Sequence, residues 1–117
     1  MAVKQKQRQE LSADDRRRIT DALTEKAIRR SGAWDALKVL SGQTTIDEIE
    51  VLEEEITGTR ARADGIFNIY VKLQYEKDDN DGFTSSDSYP GRFTIHFDES
   101  GSVIFDEIAI DVSSFYA

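Results

Sequence analysis

Apolar residues recur every three to four positions in the first third of the chain and every second position in much of the rest, so the pattern predicts helix first and sheet afterwards. Ile19, Leu23 and Ala27, with Ala22 alongside, form one stripe on a helix from about 13 to 30. Ser12 and Asp15 have the spacing of a capping box at its start, where hydroxyl and carboxylate each satisfy a backbone amide. Arg29, Arg30 and Gly32 supply a basic last turn and a stop. Trp34, Leu37 and Leu40 repeat the helical spacing in a shorter second helix, which "SGQTT" ends.

After Gly42 the period becomes two. "IFNIYVKLQY" places Phe67, Ile69, Val71, Leu73 and Tyr75 on one strand face, with Asn68, Lys72 and Gln74 opposite. "GRFTIHFD" turns Phe93, Ile95 and Phe97 inward and Thr94, His96 and Asp98 outward. In "SVIFDEIAIDV" the phase slips between Phe105 and Ile108, and one extra residue restores it, so a β-bulge is expected near Asp106. Residues 46–63 read two ways. A helix would put Ile46, Ile49, Leu52 and Ile56 on one side behind a second capping box at Thr45 and Glu48. Extended structure from about 49 to 62 is preferred, because Thr57, Thr59 and Ala61 alternate with Gly58, Arg60 and Arg62. "ADG" then reads as a three-residue hairpin loop with Gly65 in the left-handed region, setting Thr59 beside Ile69 and Thr57 beside Val71.

The expected fold class is α+β: an N-terminal helix and a short second one packed on one face of a four-stranded antiparallel sheet. A chain of 117 residues suits one domain, here residues 12–117 behind a mobile polar tail at 1–11. In element order from about 12 to 112 the chain resembles the cystatin-like or NTF2-like arrangement, in which a curved sheet wraps a helix. The resemblance is one of outline, without a motif, and transfers no functional residue.

Charge divides the chain. Residues 1–30 carry nine basic side chains against five acidic, and the remainder six against eighteen, within a net charge of -8. The basic end has three candidate docking places: an acidic partner, nucleic acid, or the chain's own acidic body. With no cysteine, disulfides, thiol nucleophiles and thiolate metal sites drop out, and His96 as the single histidine argues against zinc. No apolar run approaches the roughly 20 residues of a membrane span, and "MAVKQKQRQE" has no signal-peptide core, so a cytoplasmic protein without membrane contact is expected.

"YEKDDNDGFTSSDSYP" has the look of a calcium loop. With Gly82 at the sixth position, Asp79 and Asp81 fit, but Lys77 and Ser88 stand where the first and last carboxylates belong. A hairpin loop over 76–90 is the expectation, with no metal.

No catalytic, cofactor-binding or metal-binding residue is expected. The pair of His96 and Asp98 on the solvent face and the acids of "EVLEEEI" read as surface, and no phosphate-binding glycine loop or RNA motif is present, so nucleic acid is not expected as a partner. The leading expectation is a non-catalytic protein-interaction or accessory module. It would use Asn68, Tyr70, Lys72, Thr94 and His96 on the open sheet face to bind a protein partner or a second copy as a homodimer. The alternative is a small-ligand protein or enzyme of NTF2-like shape, with a pocket between helix and sheet lined by Trp34, Tyr70 and Phe97. A polar pocket favours the enzyme and a filled core the module.

Overall fold

The computed structural model describes residues 10–75 and 83–116. Where one long helix is expected there are two, α1 (Ala13–Ala22) and α2 (Glu25–Arg30), followed by α3 (Ala33–Lys38). The interruption has a local cause: Thr24 leaves the helical conformation and its hydroxyl accepts the Ala27 amide at 3.2 Å, starting a new helix. The phase resets there, so Ile28 is fully buried while Ala27 is only half-buried.

Both halves of the capping box form at α1. The Asp15 amide donates to Ser12 Oγ at 3.0 Å, and the Ser12 amide donates to Asp15 Oδ2 at 3.1 Å. Ser12→Ala is expected to lower stability by about 0.5–2 kcal/mol, read as a shifted midpoint in urea. An unmoved midpoint would show that tertiary packing alone holds α1.

The strands are β1 (Gln43–Val51), β2 (Thr57–Gly58), β3 (Ala63–Tyr75), β4 (Phe83–Phe97) and β5 (Val103–Ile110). They form one antiparallel sheet in the order β1-β3-β4-β5, with β2 pairing the start of β3. The fold is thus α+β, helices on one face of an open sheet. Extended structure begins earlier than expected, at Gln43, and is interrupted by a 3-10 turn at Glu53–Glu55. The expected hairpin loop at "ADG" is replaced by strand: Asp64 pairs with Thr57, and Ile69 and Val71 pair with Ile49 and Ile46 rather than with Thr59 and Thr57. The tight turn lies at Thr59–Arg62 instead, where the Thr59 amide donates to the Arg62 carbonyl at 2.9 Å.

Much of the expected loop after Tyr75 is also strand. β4 pairs with β3 from Tyr75↔Phe83 through Ala63↔Ile95, so serines and aspartate that suit turns are drawn into a ladder by the long alternating strand opposite. Residues 76–82, with the acids of the calcium-like motif, lie outside the described residues, as do residues 1–9 of the expected tail. Leu11, assigned to that tail, is buried in the core, and Glu10 bridges to Thr59.

Ile19, Leu23, Ile28 and Leu37 pack against Phe67, Ile69, Val71, Leu73, Phe93 and Ile95, all of them buried, as the alternation on β3 and β4 requires. Phe97 is only half-buried. Two glycines shape this layer. Gly65 lies directly opposite Phe93, and Gly91 opposite Phe67. A Cβ on Gly65 would come within 2.8 Å of Phe93 Cε1, and one on Gly91 within 2.6 Å of Phe67 Cε1, with Cζ nearer still in both cases. Each ring covers the glycine across from it, and the two rings stack with centroids 6.3 Å apart.

The bulge falls where the phase slip puts it: Thr94 pairs with Glu107 and Ile95 with Phe105, leaving Asp106 as the extra residue.

Candidate functional site: the open sheet face

Helices cover one face of the sheet, and the other carries the even-numbered side chains of β3 and β4. Three large apolar residues are partly exposed on it: Ile66 at 44%, Tyr70 at 37% and Ile104 at 38%. The face has two ends, because β1 pairs with the second half of β3 whereas β5 pairs only with Gly91–Phe97 of β4.

At the β1 end, Glu50 Oε1 accepts from Tyr70 Oη at 3.0 Å and from Asn68 Nδ2 at 3.3 Å. The hydrogen bond to Glu50, and then its charge, hold the Tyr70 phenol above its ordinary pKa. Lys72 stands on the same face, two residues along the strand and exposed, with no ion pair among the described residues.

At the β5 end, Thr94 Oγ1 donates to Asp64 Oδ1 at 2.8 Å. His96 Nδ1 lies 2.8 Å from Asp106 Oδ2 and 3.0 Å from Oδ1. A carboxylate only accepts, so Nδ1 carries a proton and Nε2 is the nitrogen turned away. Asp98, the partner that spacing alone would allow, is used elsewhere: its Oδ1 takes the amides of Ser100 and Ser102 and the Ser100 hydroxyl at the β4–β5 turn. Those bonds, the Ser100 hydroxyl first, hold its carboxyl below the usual range. A shallow groove of about 410 Å³ crosses this end, bordered by Arg62, Asp64, Arg92, Thr94 and Glu107 among others.

Asn68, Tyr70, Lys72, Thr94 and His96 therefore do share one face, in two groups with different partners. The reading by alternation passed over Arg92, Asp64 and Glu107. Arg92 was legible, two residues before Thr94 on the same strand face. Glu107 was hidden by the bulge, which alters the phase that decides where its side chain points.

The aromatics assigned to an internal pocket do not converge. Trp34 packs under the Arg29 guanidinium at 4.3 Å, Tyr70 is on the opposite face, and the Phe97 ring meets the guanidiniums of Arg18 at 5.4 Å and Arg60 at 4.7 Å. Apolar side chains pack between helices and sheet, and a pocket of about 550 Å³ opens between Ala27, Arg30, Ser31 and Gly32 of the helical layer and Phe105, Asp106, Glu107 and Ile108 of β5. The basic stretch of α1 is spent on the chain's own body: Arg16 donates to the Ile56 carbonyl at 3.0 Å, Arg17 pairs with Glu53 at 3.1 Å, and Arg18 donates to the Gly101 carbonyl. Among the described residues no three His, Asp or Glu side chains converge to hold a metal ion, and no helix is long and apolar enough to cross a membrane.

Fold and face together define a small α+β protein with an apolar core and a chemically mixed, open sheet. Over residues 4–116 the chain matches the family described as "Predicted pPIWI-associating nuclease", and it belongs to that family. No curated protein and no solved structure matches, so the cystatin-like or NTF2-like outline has no structural neighbour behind it.

Proposed function

We propose that the chain is an accessory module of a system built around a PIWI-like protein, and that it docks on that protein through the β1 end of its open sheet face. The observation that carries this reading is the patch at Tyr70. It is an aromatic ring partly open to solvent, fixed with Asn68 on one carboxylate oxygen, with Lys72 beside it and in no ion pair among the described residues. Aromatic side chains are favoured at protein interfaces, and a ring already held in place loses little freedom on binding. That Trp34, Tyr70 and Phe97 do not converge supports an interaction module over a carrier with a pocket lined by those aromatics.

The test is co-purification with the PIWI-like protein of the same system. Wild type is expected to co-elute, and Tyr70→Asp combined with Lys72→Glu to weaken binding at least tenfold. Val39→Ala, at an exposed site on the helical layer, should leave it unchanged. Failure of wild type to bind, or equal binding by the double variant, would overturn the assignment of this surface.

A further inference from the structure

At the β5 end of the open face, we infer a site for metal-independent cleavage of single-stranded RNA, in which Glu107 is the general base, His96 the general acid and Arg92 the phosphate-binding residue. The inference deepens the family's nuclease description by assigning it a surface, a substrate and a mechanism. It is independent of where the PIWI-like protein docks.

Register places the three residues. Arg92, Thr94 and His96 follow one another on the outward face of β4, and Glu107 is directly opposite Thr94, midway between the other two. Two residues of strand span about 7 Å and neighbouring strands are about 5 Å apart, so Glu107 stands about 8 Å, backbone to backbone, from both Arg92 and His96. Three long side chains at that spacing can meet around one phosphodiester. Glu107 borders the open-face groove together with Arg92 and a second arginine, Arg62, and it also lines the pocket that Arg30 borders at the helical layer. Neither arginine makes a salt bridge among the described residues, although the charge of Arg92 also acts on the Asp111 carboxylate, and both guanidiniums can meet an anion. Partly exposed Ile66 and Ile104 flank the trio and offer an apolar surface to bases.

The bulge assembles this chemistry. By inserting Asp106, it lets β5 present two acids in succession opposite Thr94: one holds the histidine through Nδ1 and the other makes no side-chain hydrogen bond among the described residues. Bulges re-aim side chains in this way and are frequent beside active sites.

The reaction balances with these groups alone. The Glu107 carboxylate takes the proton of a ribose 2′-hydroxyl, and the 2′ oxygen attacks the adjacent phosphorus. The bond from phosphorus to the 5′ oxygen breaks, and that oxygen takes the Nε2 proton of protonated His96. The products are a 2′,3′-cyclic phosphate and a free 5′-hydroxyl; Glu107 is left protonated and His96 neutral, and both reset by exchange with water. Arg92 holds the non-bridging oxygens while charge builds on them. Asp106 acts through His96 and is a positioning residue.

The test uses the purified full chain, a labelled single-stranded RNA oligonucleotide, and its all-deoxy counterpart, with EDTA throughout. Cleavage of the RNA to cyclic-phosphate ends, with the DNA intact, is expected. His96→Gln and Glu107→Gln should each slow it about 100-fold or more, as loss of a general acid or base does, with unchanged thermal melting. Asp106→Asn should lower kcat with KM unmoved. Intact RNA, cleavage of the deoxy strand as well, or cleavage that survives both glutamine variants would overturn the proposal. None of these outcomes depends on the docking experiment.

Discussion

Phe93→Ala should lower the free energy of unfolding by about 3–5 kcal/mol, a large part of the roughly 5–15 kcal/mol that holds a domain of this kind. The ring is 1% exposed, covers Gly65, stacks beside Phe67 and meets Phe105 edge-on with centroids 5.9 Å apart. Its removal opens a cavity between two rings that cannot collapse toward a glycine. Denaturant melts should show a lower midpoint with an unchanged slope. Ile104→Ala, on the open face, should cost under about 1 kcal/mol. Equal losses would mean that the two faces are assigned wrongly.

Gly91→Ala should cost about 1–3 kcal/mol by overpacking, although alanine is among the least intrusive residues elsewhere in a sheet. The added methyl has no room, because the Phe67 ring lies over the glycine, and a ring fixed by Phe93 on its other side cannot step away. The collision predicts a coupling. In a Phe67→Leu background the smaller side chain leaves space for the methyl, so the double variant should lose less than the two single variants together. Strict additivity would show that ring and glycine do not touch.

These contacts also bear on the open face. Gly65 and Gly91 alternate with Asp64, Ile66 and Arg92, whose side chains leave the sheet on the other side. The interlocked rings below therefore set the strand positions from which the groove residues project. The docking patch lies farther along β3, next to β1. A partner protein and an RNA strand can thus occupy the same sheet without competing for the same side chains.

The alternation of "IFNIYVKLQY" and "GRFTIHFD" was enough to determine the class of fold, the buried face of β3 and β4, and the open face on which the proposed site residues of those two strands stand. It sufficed because a strand that buries one side has a period of two that a single sequence displays without help. The capping box at Ser12 and the bulge at Asp106 were legible for a similar reason, being local in the chain: one is a hydrogen-bond pattern within one turn, the other a single phase error. What the tertiary structure decided was everything that depends on a partner distant in sequence. Residues 83–90 carry the composition of a turn and became strand because β3 offered them a ladder. Thr24 broke a helix that spacing would have continued, and the break brought Ile28 into the core. His96 chose Asp106 over Asp98, ten residues away rather than two, because neighbouring strands bring those side chains within 3 Å while Asp98 is held by its own turn. Glu107 could be assigned to the open face only once the bulge had been paired against Thr94, since register between strands, and not sequence spacing, settles which side of a sheet a residue faces.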